Sequence, residues 1–258
     1  MICCIIQART GSTRLPKKVL EKIDNNLTVL DYVINQVKYS KKIEKIVVAT
    51  TNLIEDDLIC KYSNLQKIEC FRGSSEDVLD RFYQCAKKES AKNIIRITAD
   101  NPLIDPNIID IVIEEFENNQ FDLVTNTISR TFPYGTEVEV FSFESLEKAW
   151  KNARKPSERE HVTPYIRNPK NKFIIKDIKN EENISNIRYT IDKLEDLQVV
   201  KEIIKNISTR PILFQDIIEL QKNKPEIFEI NKNVIHDGYL SSIKKDEQYF
   251  KSKNNESS

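Results

Sequence analysis

Glycine is nearly missing from this chain, with four in 258 residues, where a usage of about 7% would give about 18. Phosphate loops of the GxGxxG and GxxxxGK[ST] types place glycines close together, and neither pattern occurs. A dinucleotide fingerprint and a Walker loop are therefore excluded. Net charge is missing as well, since Lys+Arg and Asp+Glu both number 40. Proteins that live on duplex DNA or anionic membranes carry a basic excess. Any polyanion held here is small and held locally, and neither nucleic acid nor a membrane is an expected partner. The apolar runs are strand-sized, far short of the roughly 20 residues that span a bilayer, and the opening residues lack a signal peptide's basic flank and cleavage site. The expected location is cytoplasmic. There are two histidines, His161 and His236, and five cysteines, Cys3, Cys4, Cys60, Cys70 and Cys85, without a CxxC. Neither a zinc site nor a disulfide framework is expected.

What is present is an alternation of β-rich runs and helical stretches. Strands are expected at 2–7, 45–51, 68–71, 94–98, 123–127, 137–143, 173–178 and 186–191. Helices are expected at 29–39, 55–62, 76–88, 107–116, 143–152, 158–166 and 194–207. Such alternation predicts an α/β fold, a mostly parallel Rossmann-like sheet with helices on both faces. The strand-dense stretch 120–145 predicts a small antiparallel flap over one edge. One domain is expected over 1–207, with 130–170 as an acceptor and dimerisation subregion. A helical extension follows at 208–240, and the polar tail 241–258, SSIKKDEQYFKSKNNESS, is expected to be frayed.

Ligands of such sheets gather at the carboxyl ends of the strands, and the loop leaving the first strand there reads ARTGSTRLPKK. With so few glycines to grip phosphate by backbone alone, the task falls to Arg9, Arg14, Lys17 and Lys18, helped by amides near Gly11 and the hydroxyls of Ser12 and Thr13. Guanidinium forks suit phosphate oxygens, and several cations from one loop match a triphosphate. A solvated basic turn is the competing reading. Gly11, Gly73 and Gly135 all lie in loops beside expected strands, where positive φ or close approach favours glycine.

Two carboxylates fall at the same edge. Asp100 ends the strand of IIRITADNPLIDP, and Asp192 stands where RYTIDKLEDL turns from strand to helix. Asp105 before Pro106 reads instead as a helix N-cap with proline in the first turn. Asp192 with Glu195 also reads as a variant capping box. Two strand-end aspartates beside a polycationic loop nevertheless suit magnesium, which takes one or two carboxylates and completes its shell with phosphate and water.

In order, ARTGSTRLPKK, FRGSSEDVLDRF, ADNP, PYGTEVEVF, EREHVTPY and YTIDKLEDL resemble the SpsF-type spore coat polysaccharide proteins. These belong to the superfamily of the acylneuraminate and 3-deoxy-manno-octulosonate cytidylyltransferases. The resemblance runs from residue 2 to about residue 205. It implies a nucleotidyltransferase (GT-A-like) sheet and transfer of CMP from CTP to an acidic sugar, with magnesium held by Asp100 and Asp192. By the same resemblance, Ala8, Arg9, Gly11, Ser12, Arg14 and Lys18 hold the nucleotide with Arg72, Ser74 and Asp77. Arg9, Lys18 and Asp100 are its catalytic set, Tyr134, Glu137, Arg159 and His161 face the acceptor, and a homodimer is implied. Lys17 stands where the octulosonate enzymes have glycine, and Lys193-Leu194 replaces their usual Thr-Pro. A helix-solvating role for Asp77, with Arg81 as its ion-pair partner one turn on, is the bland alternative. Rival functions are another nucleotidyltransferase, using a sugar 1-phosphate or a different NTP, and a GT-A-type glycosyltransferase.

Overall fold

In the computed structural model, residues 1–234, 242, 245–249 and 251 are described. Ile2–Gln7 forms β1, and its side chains divide between two apolar layers, Cys4 and Ile6 into one and Cys3 and Ile5 into the other. A run buried on both faces suits the middle of a parallel sheet. β1 accordingly pairs in parallel with two neighbours.

Lys22–Asp24 (β2) and Leu27–Thr28 (β3) form a separate small antiparallel hairpin. Val29–Val37 (α1) follows, begun by a reciprocal Thr28–Asp31 capping box. Then come Lys45–Thr51 (β4), Asp57–Leu65 (α2), Glu69–Gly73 (β5), Val78–Lys88 (α3), Asn93–Thr98 (β6) and Pro106–Glu117 (α4). Asp105 caps α4 through the amides of Asn107 and Ile108, with Pro106 in its first turn. Leu123–Thr125 (β7), Glu139–Ser142 (β8), Phe143–Asn152 (α5), Pro156–His161 (α6), Pro164–Arg167 (α7) and Ile175–Asp177 (β9) continue the chain. It proceeds through Leu194–Asn206 (α8), Phe214–Asn223 (α9) and Glu226–Glu229 (α10).

The seven-stranded sheet has the order β5-β4-β1-β6-β8-β7-β9. Its β4–β5, β1–β4, β1–β6 and β7–β9 pairs are parallel, and only the two pairs made by β8 are antiparallel. α1, α2 and α4 contribute to one layer, α3 and α5 to the other. A third core, with Tyr189, Ile191, α8 and α9, stands against the β2 hairpin.

Several expectations are corrected. The antiparallel strands expected as a flap at 120–145 are β7 and β8 of the main sheet, because β8 bonds β6 directly, Arg96 opposite Glu139; the separate antiparallel sheet is the β2–β3 hairpin. Residues 186–191 form no strand beyond a single Tyr134–Arg188 bridge, since the backbone there turns to meet Asp100, Ile191 N donating to its carbonyl at 2.8 Å. The helix expected at 158–166 is broken into α6 and α7 at Val162, whose φ of 71° no helix accommodates. Cys60 on α2 and Cys70 on β5 are joined as a disulfide, their Cα atoms 5.2 Å apart, although no bridge was expected. Most of the tail from 241 lies outside the described residues, as does His236. Of its described part, Ser242 is buried, and Asp246 accepts from Ser157 Oγ and N on α6. Among the described residues no helix is long and apolar enough to cross a membrane.

Candidate active site

The loop after β1 is anchored before it is charged. Thr10 is buried, and both its amide and its hydroxyl donate to Asp56 Oδ1 at 2.7 Å. The Thr51 hydroxyl donates to the other oxygen of Asp56. A buried carboxylate is tolerated only where donors satisfy it, and here it ties the loop to the end of β4. The Thr10 carbonyl in turn accepts from the amides of Ser12 and Lys17, at 2.8 and 2.9 Å. Lys17 takes a left-handed conformation, φ 57°, the one a glycine there would enter freely and a side chain enters at a cost of about 1–2 kcal/mol.

The turn through Lys17 carries Lys18 inward, leaving it 8% exposed. Its ammonium donates to Asp100 Oδ2 at 2.9 Å, to Asp192 Oδ1 at 2.9 Å and to the Ile191 carbonyl at 2.6 Å. Burial opposes this charge, but the two aspartates outweigh it and the Lys18 pKa lies above its ordinary value. Arg14 Nη2 reaches the same Asp192 oxygen at 2.9 Å, and Arg188 Nη2 takes the other at 3.0 Å. Arg188 is fixed in turn by Asp196, which accepts from Asn231 as well. Three cations thus converge on Asp192, while Asp100 is more open, its side chain 27% exposed against 5%. Arg9 is exposed above the same loop, with Gly11 and Ser12 beside it and Ala8 buried beneath.

A lysine bridging Asp100 and Asp192 marks a place that demands positive charge. Two carboxylates are the protein's share of the donor set magnesium prefers, phosphate and water supplying the rest, so the residues present fit that ion. Among the described residues no larger group of metal-ligating side chains occurs.

The 72–77 turn is built differently. Arg72 donates to the Thr51 carbonyl at 3.0 Å and the Leu53 carbonyl at 2.6 Å, and pairs with Asp57. Ser74 Oγ accepts from the Asp77 amide at 3.0 Å, and Asp77 caps α3 through the Asp80 amide at 2.9 Å. The ion-pair partner of Asp77 is Arg159, not Arg81. Arg81 lies fully buried under the turn, donating to the Ser74 carbonyl at 3.0 Å, where a Cβ on Gly73 would come within 2.9 Å of it. That close approach accounts for Gly73, as a φ of +118° against Tyr189 accounts for Gly135; Gly11 meets neither condition.

The four residues expected to face the acceptor separate into two pairs. Glu137 accepts from Asn101, Gly135 and Arg130. Tyr134 lies under Arg130, 3.9 Å from its guanidinium carbon, on the side of Arg188. Both therefore adjoin the Asp100–Asp192 edge. Arg159 is held by Asp77 and the Trp150 carbonyl, and His161 Nε2 meets the Ser242 hydroxyl at 2.8 Å. Sequence reading missed Asp56, Arg188 and Asp196. Arg188, four residues before Asp192 within RYTID, carried a charge signal; Asp56, in the acidic run EDD, carried none that set it apart.

A mostly parallel sheet with a cation-rich first loop, one carboxylate just past the end of β6 and a second before α8 is the arrangement of a nucleotidyltransferase. The chain matches the Cytidylyltransferase family over residues 3–234, and it belongs to that family. It is 32% identical over 235 residues to the spore coat polysaccharide biosynthesis protein SpsF of Bacillus subtilis, covering 87% of this chain and 95% of that one. The structure of a cytidylyltransferase from Leptospira borgpetersenii superposes with a TM-score of 0.86 at 35% identity, covering 91% of this chain and 99% of that one. A CMP:2-keto-3-deoxy-manno-octonic acid synthetase complexed with CTP gives a TM-score of 0.61 at 14% identity, covering 79% and 98%. At that identity it speaks for the fold.

Proposed function

We propose that the protein transfers CMP from CTP to an acidic sugar of the ulosonate or nonulosonate kind, with magnesium at Asp100 and Asp192, as a cytoplasmic homodimer meeting through residues 130–170. The observation that carries it is the Lys18 ammonium within 2.9 Å of both Asp100 and Asp192, at the mouth of a loop that also presents Arg9 and Arg14.

CTP lies across the carboxyl edge of the sheet, its triphosphate against Arg9, Arg14 and Lys18 and the backbone near Gly11 and Ser12. Lys18 and Arg14 exchange their carboxylate partners for phosphate oxygens, which frees Asp100 and the Oδ1 of Asp192. Asp100 and Asp192 would hold magnesium, which would supply charge neutralisation at the α-phosphate. Tyr134 and Glu137, beside Asn101, receive the acceptor, whose hydroxyl attacks phosphorus in line as pyrophosphate departs. Such a transfer is mostly positioning and electrostatics, and the side chains here are preorganised by Asp56 and Asp196 from behind. The resemblance to the octulosonate enzymes and family membership support cytosine and an acidic acceptor.

The test is to incubate the protein with each of the four NTPs, magnesium, pyrophosphatase and candidate sugars, and to follow phosphate release. Release with CTP and a 2-keto sugar acid is expected. Release only with another NTP, or with a sugar 1-phosphate in place of the acid, overturns the proposal.

A further inference from the structure

One polar cluster lies outside the residues considered so far. Arg96 on β6 and Glu139 on β8 stand directly opposite in register, two positions from Ile94 and Phe141, and so point into the same layer as those apolar side chains. Arg96 Nη1 donates to Glu139 Oε2 at 2.5 Å, and Nη2 donates to the Gln7 side-chain oxygen at 3.2 Å. From the other side Arg167 donates to Glu139 and to the Thr127 hydroxyl, and the Thr163 hydroxyl donates to Glu139 at 2.7 Å.

Three features set this cluster apart from a stabilising core network. It holds two guanidinium groups against one carboxylate, and buried ion-pair triads are weak contributors to stability compared with apolar packing. The Nε of Arg96 and the Nε of Arg167 are buried without hydrogen-bond partners, so neither guanidinium has its donors fully satisfied within the protein. The backbone that delivers Thr163 and Arg167 is strained, with Val162, a β-branched residue, at φ 71° and ψ −57°. The Thr163 amide closes a γ-turn there on the His161 carbonyl at 2.8 Å. Strain of this kind persists where the surroundings enforce it and gathers at binding sites.

The cluster also has an address. Gln7 ends β1 two residues before Arg9, and in register it faces Thr98, whose hydroxyl accepts from Asn101 at 3.1 Å. Arg96 and Arg167 keep 15% and 29% of their side chains exposed while Glu139 keeps 3%. The surplus positive charge is thus presented outward and its counter-charge lies beneath. His161 adds no charge, since burial and then Arg96 push its pKa down to about 4.

We propose that Arg96 and Arg167, with Gln7, form the subsite that receives the carboxylate of the acceptor sugar. The inference rests on the nucleotidyl-transfer reading and adds which group of the acceptor is recognised and where. A planar carboxylate suits paired guanidinium donors better than a lone ammonium does.

The experiment is calorimetry on the protein loaded with magnesium and α,β-methylene-CTP, titrated with 3-deoxy-manno-octulosonate, with N-acetylneuraminate and with glucose. At least one acid is expected to bind and glucose not to. Arg167→Met is expected to weaken that acid at least tenfold and to leave the nucleotide analogue within twofold. Arg167→Lys should fall between, and Gln7→Leu, which leaves both ion pairs intact, should weaken the acid without lowering the melting temperature. Acids that bind no better than glucose, or an Arg167→Met protein with unchanged acid affinity, would overturn the subsite while analogue binding stands. A wild-type protein that fails to bind the nucleotide analogue would overturn the nucleotidyl-transfer reading and the subsite with it.

Discussion

The first loop and the 72–77 turn carry similar residues to the same sheet edge and use them in opposite ways. In the loop, Arg14 and Lys18 meet the carboxylates of Asp100 and Asp192, which a ligand could displace, and Arg9 is exposed. In the turn, Arg72 is consumed by two carbonyls and Asp57, Asp77 by a helix cap and Arg159, and Arg81 by burial. Lys18 has two carboxylate partners beside the Ile191 carbonyl and can trade the carboxylates for phosphate, whereas Arg72, which joins two backbone carbonyls, maintains the chain's path. The loop should therefore govern activity and the turn stability.

Asp100→Asn tests the loop side most severely. The amide keeps the shape of the side chain and removes the charge opposite Lys18, so turnover is expected to fall by about a thousandfold or more, roughly 4 kcal/mol of barrier, with little change in melting temperature. A rate within about tenfold of wild type, roughly 1.4 kcal/mol, would remove Asp100 from the catalytic set.

Lys18→Met should come next. Charge-assisted bonds of this type are worth about 1.5–3 kcal/mol, so CTP affinity is expected to fall about ten- to a hundredfold by calorimetry. The same change strips Asp100 of its cation and leaves Asp192 Oδ1 with Arg14 alone, so Mn²⁺ should bind without nucleotide more tightly than it does to wild type. Equal Mn²⁺ affinity in the two proteins would show that the ammonium does not occupy the metal's place.

Much of this contrast was legible in the sequence, and its limits have physical causes. β1, β4 and α5 fall where periodicity places them, to the residue, because long regular runs outvote local noise. That the first loop and Asp100 share one edge of the sheet followed from strand ends, whereas Asp192 reaches that edge from a bend before α8 and not from the strand expected at 186–191. What periodicity cannot carry is partner choice: that Asp77 takes Arg159 from 82 residues away rather than Arg81 one turn on, or that β8 inserts next to β6 rather than covering the sheet. The break at Val162 was hidden for a related reason, since nothing in EREHVTPY before its proline signals a positive φ at a β-branched residue.

On the turn side and the helix it grips, effects should appear in stability. His161 has its pKa lowered to about 4, first by burial and next by Arg96. With a depressed base, the unfolded chain takes up the proton first as pH falls, so stability is lost from about pH 6.5 down towards pH 4. Glu139, lowered to about 2 because Arg167 and Arg96 outweigh its burial, extends the loss below its ordinary range. Melting temperature is expected to drop through both windows, and His161→Gln to flatten only the upper one. An unchanged slope between pH 6.5 and 4.5 in that variant would place the titration elsewhere.

Arg72→Gln should have the smallest effect and separates the two regions most directly. Its guanidinium ties the carbonyls of Thr51 and Leu53 together, next to Asp56, which anchors Thr10. Losing two such bonds on a partly exposed side chain should cost about 1–2 kcal/mol, a few degrees in melting temperature for a chain of this size. Because Asp56 is held independently by Thr10 and Thr51, little of that loss should reach the loop, and CTP affinity is expected to stay within about threefold, under about 0.7 kcal/mol. A tenfold or larger loss of CTP affinity with an unchanged melting temperature would show that the turn grips the nucleotide itself, and would dissolve the division between a loop that acts and a turn that supports.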